Sequence, residues 1–209
     1  MDKVIEHYDA IIDEINDPHN HKVVDPAHDP GPLKSYMDKW DGALFIDAMY
    51  LTPNKSVLEI GVGTGRLALR VCNKCGNFTG IDISPKTVER AKENLQSFSN
   101  VRLICGDLLT HPFENKFDII YSSLTFMHIK NKRAAIQKAT NLLSLGGRFV
   151  LSIDKNQQTE IDYGTRKITV YPDTPEEITM LFNETGLSID ASFETEFAFV
   201  FVGIRNSNK

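Results

Sequence analysis

The chain has 209 residues, of which 41% are hydrophobic and 24% charged, and its formal net charge is −5. This length fits one domain with a full hydrophobic core, and the acidic balance argues against a nucleic-acid backbone as the main partner. An odd number of cysteines, no signal-like N-terminus and no long apolar segment together predict a cytoplasmic protein without a membrane anchor.

We interpret the whole chain as a single domain with an N-terminal helical cap and a larger core. Apolar residues recur with helical spacing over residues 4–15 and predict an amphipathic helix. Proline, aspartate and histidine are frequent in 16–32, which predicts a loop, and a second helix is predicted over about 34–50. Residues 1–50 would then form the cap or lid, and residues 51–209 the core.

Apolar runs alternate with helical patterns from residue 55 onward. This repeated β–α order predicts a parallel sheet with helices on both faces. The helix after the fourth strand is predicted to stop at Gly146-Gly147, where two glycines follow the last periodic residue. The five strands of this part are predicted at about 55–60, 77–81, 101–104, 117–121 and 148–153.

The last fifty residues have a different pattern. Alternating apolar residues in 159–171 predict a hairpin or an irregular β excursion. Thr174-Pro175 begins a capping box, and its helix is predicted to end at Gly186. Strands are predicted over about 187–194 and 197–204, and the short turn between them requires an antiparallel pair.

The most specific motif is the sequence VLEIGVGTG, at residues 57–65. A buried strand there ends in three glycines at alternate positions, and a second apolar run ends in Asp82. This is the pattern of a nucleotide-binding α/β unit. The dinucleotide fingerprint needs a further small residue where this chain has Arg66, which argues against a nicotinamide cofactor.

An acid followed by G-x-G-x-G, here Glu59, Gly61, Gly63 and Gly65, resembles the first motif of class I S-adenosylmethionine (SAM)-dependent methyltransferases position for position. The order of the elements is also similar, over roughly residues 35–205. The resemblance implies an α/β fold, namely a three-layer αβα sandwich around a seven-stranded, mostly parallel sheet. The last strand would be antiparallel, and the N-terminal helices would form a cap.

The resemblance also implies which residues bind SAM. Glu59 would hold the methionine ammonium while the glycine backbone passes under the ligand. Asp82 would accept hydrogen bonds from two ribose hydroxyls, and Ile83 would give the adenine an apolar face. Asp107 would accept from the adenine amine and the backbone N–H of Leu108 would donate to the ring, although an ordinary turn aspartate is the alternative for Asp107.

The segment after the fourth strand, residues 122–129, would lie beside the reactive methyl. It lacks the Asn/Asp-Pro-Pro-Tyr sequence of many methyltransferases that act on nucleobase or glutamine amino groups, and it looks more like the small-molecule branch. Ser123 is a further candidate for cofactor binding. His128 is the candidate catalytic base because imidazole titrates near neutral pH, and the alternative is a histidine that only packs and bonds to the backbone.

These patterns predict an enzyme that transfers a methyl group from SAM to an O or N atom of a small-molecule acceptor and releases S-adenosylhomocysteine (SAH). A monomer or homodimer with no membrane association is expected, and nucleic acid is not an expected partner. The alternatives are a non-catalytic SAM-binding module, an RNA or protein methyltransferase, and a nicotinamide-dependent oxidoreductase. No metal is expected. The spacing of His19, His21 and His28 fits no compact ligand set, and Cys72 and Cys75 lie on an apolar helix face that predicts burial.

Overall fold

The computed structural model describes residues 2–15, 31–164 and 166–206. Nearly all of the predicted loop at 16–32, with its three histidines, lies outside the described residues. In the described part the strands are β1 (Ser56–Ile60), β2 (Asn77–Asp82), β3 (Val101–Cys105), β4 (Phe117–Ser122), β5 (Leu143–Asp154), β6 (Glu160–Asp162), β7 (Lys167–Thr169), β8 (Leu187–Glu194) and β9 (Ala198–Arg205).

The helices of the described ranges separate most of these strands. No helix among these residues is long and apolar enough to cross a membrane. Short 3₁₀ turns follow α4 and β4, at Cys72–Lys74 and Phe126–His128. The helices are α1 (Asp2–Ile15), α2 (Gly31–Met37), α3 (Gly42–Asp47), α4 (Ala68–Val71), α5 (Pro85–Leu95), α6 (Lys132–Leu142) and α7 (Pro175–Glu184).

Seven strands form one sheet in the order β3-β2-β1-β4-β5-β9-β8. The pairs from β3 to β5 are parallel, whereas β9 is antiparallel to both β5 and β8. Both the predicted sheet and its inserted antiparallel last strand are therefore confirmed. The strand order proceeds from β1 to β3 on one side of the sheet and from β4 to β5 on the other. The gap between the carboxyl ends of β1 and β4 is therefore the switch point where ligands bind in such sheets.

The core lies on both faces of this sheet. Neighbouring strand residues point to opposite faces, so Leu58 and Ile120 join one apolar cluster while Val57 and Ile119 join the other. All four side chains are fully buried. Burial on both faces explains why these strands are continuous apolar runs rather than alternating ones.

The predicted second helix over 34–50 is wrong as one continuous element. The structure has two short helices, α2 and α3, separated by a turn at residues 38–41. The break arises because the Asp41 carboxylate accepts from the backbone N–H of Gly42 at 2.6 Å and so caps a new helix. Within a continuous helix, the backbone N–H of Gly42 would donate to a backbone carbonyl instead of to this carboxylate.

The predicted boundary at Gly146-Gly147 is also wrong. The helix ends at Leu142 and β5 begins directly at Leu143, with both glycines inside the strand. The β4–β5 register shifts at this point, since Phe117 pairs with Leu143 but Ile119 pairs with Arg148. The glycines thus belong to an irregular stretch of strand, which is a common place for glycine.

The C-terminal predictions are confirmed. The segment 159–171 forms the antiparallel β6–β7 hairpin, and β8 and β9 pair antiparallel. The capping box is present, since Thr174 accepts from the backbone of Glu177 and the Glu177 side chain accepts from the backbone of Thr174. Cys72 and Cys75 are buried, as predicted from their helix face.

We expect Thr174→Ala to lower the free energy of unfolding by about 1 kcal/mol, because one N-cap acceptor of α7 is lost. Thr179→Ala is the matched control. The Thr179 hydroxyl only bonds the Pro175 carbonyl within the same helix, and alanine favours helix. Urea denaturation of both variants would measure the difference. Equal losses would show that the capping box does not anchor α7.

Candidate active site

The glycine turn connects β1 to the carboxyl end of β2. The backbone N–H groups of Gly61 and Val62 both donate to the Ile81 carbonyl, at 2.8 and 3.1 Å. Gly63 has a φ of +54°, a conformation that favours glycine, and a Cβ added there would meet no atom within 4 Å. Gly61, at φ +76°, lies against Thr125, so a Cβ there would collide. Open space therefore lies directly above Gly63.

Asp82 lies at the tip of β2 and bridges this turn to the start of α5. Its carboxylate accepts from the backbone N–H of Gly63 and of Ser84, both at 3.0 Å. Burial raises the pKa of Asp82, and these backbone hydrogen bonds partly offset that rise. The result is a half-buried carboxylate beside the open space above the turn.

Glu59 is the second buried carboxylate, at the end of β1 and only 3% exposed. The Tyr121 hydroxyl on β4 donates to its Oε2 at 2.7 Å. Burial raises the pKa of Glu59 to about 8, although the Tyr121 hydrogen bond and the Arg66 charge act in the opposite direction. A cation placed near this carboxylate would restore its ionised form.

An ion pair that the sequence did not reveal lies beside Glu59. The Arg66 guanidinium makes two hydrogen bonds to the buried Asp41 carboxylate, and the Ser123 hydroxyl donates to the same carboxylate at 2.9 Å. Burial lowers the pKa of Arg66, but Asp41 and Glu59 outweigh it and the pKa is raised. Residues 41, 66 and 123 are far apart in the chain, so no local spacing signals this contact.

Asp107 and Leu108 follow β3, which lies next to β2. The register pairs Asp82 with Cys105, so Asp107 comes two residues beyond the neighbouring strand tip. Asp107 accepts from the backbone N–H of Leu109 at 2.9 Å, as a turn aspartate does. Leu108 is buried and Ile83 half-buried. The structure thus brings the predicted β2 and β3 residues to one edge, while the adenine role of Asp107 stays a prediction.

His128 ends the 3₁₀ turn after β4. The segment is strained, because Leu124 has a φ of +57°. Nε2 of His128 lies 2.7 Å from the hydroxyl of Tyr8, which reaches it from α1. Burial, together with the nearby His7 and Lys132, lowers the pKa of His128 to about 4. The imidazole is therefore neutral at physiological pH.

The helix α1 covers the carboxyl edge of the sheet. The Asp9 carboxylate accepts from the Ser84 hydroxyl at 2.7 Å, and Asp13 pairs with Lys86 at 2.6 Å. The sequence predicted the amphipathic helix but not that Tyr8 would contact His128. The chain carries no signal for that contact, since it joins residues 120 positions apart.

A shallow cleft lies on the β5 side of this segment. Met127, next to His128, is part of its lining, and the others include Asp154, Ile161, Val170 and Asp173. Asp154 ends β5 and accepts from the indole N–H of Trp40 at 3.0 Å. The carboxyl edge therefore has a carboxylate-rich half at β1–β2 and a mixed polar and apolar half at β4–β5.

A family model described as a methyltransferase domain matches residues 51–185, well over half of the chain. The chain belongs to this family of methyltransferase domains. The resemblance drawn from Glu59, Gly61, Gly63 and Gly65 is thereby confirmed at the level of family and fold. A nicotinamide-dependent enzyme, the alternative that Arg66 argued against, is not the family found.

Relatives and solved structures agree with this family. Malonyl-[acyl-carrier protein] O-methyltransferase 1 of Ilyobacter polytropus is 33% identical over 104 residues, which are 49% of this chain and 39% of that protein. The chain spans about two fifths of the length of several such curated relatives. A DhpI–SAH complex has a TM-score of 0.73 at 14% identity, covering 98% of this chain and 96% of that one.

The [4+2]-cyclase SpnF is equally similar, with a TM-score of 0.74 at 16% identity and the same coverage of 98% and 96%. At such identities the likeness shows the fold alone. A cyclase on this fold also means that the fold does not decide the reaction, so the side chains of the site must carry the functional argument.

We expect Arg66→Met to lower the free energy of unfolding by about 3–5 kcal/mol, because the buried Asp41 carboxylate would lose its guanidinium partner. In Arg66→Met/Asp41→Asn the stranded charge is removed as well, so part of the loss should be recovered. Urea denaturation at neutral pH measures both. A single variant within about 1 kcal/mol of the wild type would mean that the pair lies in an open, hydrated site.

Proposed function

We propose that this protein transfers a methyl group from SAM to an O or N atom of a small-molecule acceptor and releases SAH. The observation that carries the proposal is a pair of carboxylates, the buried Glu59 and the half-buried Asp82, on either side of a glycine turn with open space above Gly63. Membership of the methyltransferase-domain family supports the same activity.

The residues present fit SAM chemically. Burial raises the pKa of Glu59, so a cationic neighbour would stabilise its ionised form. The methionine part of SAM carries such a cation, an ammonium. Asp82 has lone pairs left to accept from a ribose diol after its two backbone hydrogen bonds. The absence of a Cβ at Gly63 leaves room for the ligand to approach the backbone.

Five of the predicted residues then have a role at one part of the cofactor. Glu59 binds the ammonium, Asp82 the ribose, and Ile83 packs on the adenine. Asp107 accepts from the adenine amine, and Leu108 donates its backbone N–H to the ring. These roles come from the family resemblance, and the positions of the strand ends support them.

The bound sulfonium supplies an already activated methyl group, so the protein mainly aligns the acceptor and excludes water. Ser123 is committed to Asp41 and so holds the β4 segment against the Arg66 ion pair. His128 is neutral and half-buried, and it is the candidate base for an acceptor that carries a proton. The cleft beside Met127 is the candidate acceptor site.

A small acceptor is proposed because the named relatives include demethylmenaquinone methyltransferases. The monomeric or homodimeric state, the cytoplasmic location, the lack of a metal and the lack of nucleic-acid binding stay predictions of the sequence.

Calorimetry with SAM, SAH and NAD tests the cofactor class. We expect micromolar binding of SAM and SAH and none of NAD. Asp82→Asn should weaken SAM binding at least about a hundredfold, because charge-assisted hydrogen bonds are worth about 1.5–3 kcal/mol each. Asp190→Asn, an exposed carboxylate paired with Arg148 on the far side of the sheet, is the control. Unchanged affinity in Asp82→Asn would refute the site.

We expect SAH binding near pH 7 to release a substantial fraction of one proton from Glu59. A group with a pKa of about 8 is mostly protonated in the free protein, and the ligand ammonium lowers that pKa so the proton leaves. Calorimetry in phosphate and Tris buffers gives the number released, because the two buffers differ in ionisation enthalpy. Glu59→Gln should release almost none and Asp190→Asn the wild-type amount. A wild-type value near zero would place the ammonium elsewhere.

A further inference from the structure

Tyr8 is the feature of the cap that the proposed function leaves unexplained. Its hydroxyl oxygen lies 2.7 Å from Nε2 of His128, and the two rings meet edge to face with centroids 5.4 Å apart. That distance is a hydrogen bond. One nitrogen of the candidate base is therefore already engaged by the cap.

The other nitrogen of His128, Nδ1, is buried and has no hydrogen-bond partner among the described residues. Buried polar atoms are almost always paired, so an unpaired one calls for a partner that the protein itself does not supply. This nitrogen follows β4 at the carboxyl edge, where ligands bind in sheets of this topology. A bound acceptor would be that partner.

Two tautomers are compatible with the contact between Tyr8 and His128. In one, the hydroxyl donates to Nε2 and Nδ1 carries a hydrogen; in the other, Nε2–H donates to the hydroxyl oxygen and Nδ1 keeps a free lone pair. A hydrogen on Nδ1 would be a buried donor without an acceptor among the described residues, which is rarer and costlier than an unpaired lone pair. The second tautomer is therefore favoured.

We propose that Tyr8 is a positioning residue that fixes the His128 hydrogen on Nε2, so that Nδ1 takes the acceptor's proton during methyl transfer. The inference rests on the proposed function. A lone pair of the acceptor atom forms the bond to the methyl carbon, while the carbon–sulfur bond breaks and leaves its electron pair on sulfur. The acceptor atom becomes positive, its bond to hydrogen breaks, and the proton passes to Nδ1.

A weak base is sufficient for this step. The His128 imidazole, with a pKa lowered to about 4, is neutral and has a lone pair at physiological pH. An oxygen or nitrogen that has begun to bond the methyl carbon is much more acidic than the free acceptor. The proton therefore moves late, as the new bond forms, and then leaves to solvent.

The inference also links the base to the closed cap. Tyr8 reaches His128 only while α1 is docked, and α1 is held by Asp9 on Ser84 and by Asp13 on Lys86. His7, the neighbour of Tyr8, accepts from the Arg166 side chain at 2.8 Å on the β6–β7 hairpin. Closure of the cap would thus orient the base as well as exclude water.

The tautomer of His128 can be read directly, without an acceptor. Two-bond ¹H–¹⁵N correlation spectra of the full-length ¹⁵N-labelled protein distinguish a protonated from an unprotonated ring nitrogen, and a His128→Gln spectrum assigns the signal. We expect hydrogen on Nε2 in the wild type. Tyr8→Phe keeps the ring contacts but loses the hydroxyl, so its His128 should show averaged signals of both tautomers. Hydrogen on Nδ1 in the wild type would overturn the inference.

Tyr36→Phe is the matched control, because the exposed Tyr36 lies on α2 and packs against Trp40. It should keep the wild-type tautomer. The His7 signals show whether α1 stays docked in Tyr8→Phe; if they move, the wild-type tautomer alone decides the inference. A wild-type tautomer that persists in a docked Tyr8→Phe would also overturn it. Tyr8→Phe should change the SAM affinity by less than about threefold. If the wild-type protein itself does not bind SAM, that result refutes the proposed function rather than the role of Tyr8.

Discussion

Two carboxylates at adjacent strand ends, the buried Glu59 and the half-buried Asp82, are the constraint on which the site depends. An ionised carboxylate is costly to bury without partners, so the surrounding residues must compensate for Glu59 and Asp82. The backbone N–H groups of Gly63 and Ser84 do so for Asp82, and Tyr121 does so in part for Glu59. Glu59 nevertheless stays poorly compensated, with a pKa raised to about 8, and this residual cost is what a cationic ligand would relieve.

The same constraint explains the ion pair of Arg66 with Asp41. A third carboxylate so close to Glu59 would add to the negative charge, but the guanidinium neutralises it through two hydrogen bonds. Because Asp41 also caps α3 and accepts from Ser123, the pair ties the cap to the glycine turn and to the segment after β4. A substitution of Asp41, Arg66 or Ser123 would therefore alter the hydrogen bonds of the other two, as expected of a connected buried network.

The sheet, its order and the residues at the β1 and β2 tips could be predicted because they depend on local patterns. Continuous apolar runs, the three glycines and the acids that follow them are short-range signals of strand, turn and ligand edge. The break at residues 38–41 could not be predicted, since its cause is a carboxylate bound by Arg66. Tyr8 could not be linked to His128 for the same reason, because only the docked α1 brings them together.

The two halves of the carboxyl edge differ in how far local sequence patterns predict them. The proposed cofactor half consists of strand ends, whose positions follow from the sheet, so one motif is enough to infer its chemistry. The proposed acceptor half is assembled from α1, the segment after β4 and the β6–β7 hairpin, through contacts such as that of His7 with Arg166, 159 residues apart. Side chains there can change without disturbing the sheet, which is how one fold can accommodate both an SAH-bound DhpI and a cyclase. The identity of the acceptor must therefore be sought in the residues that surround Nδ1 of His128 and the cleft beside Met127.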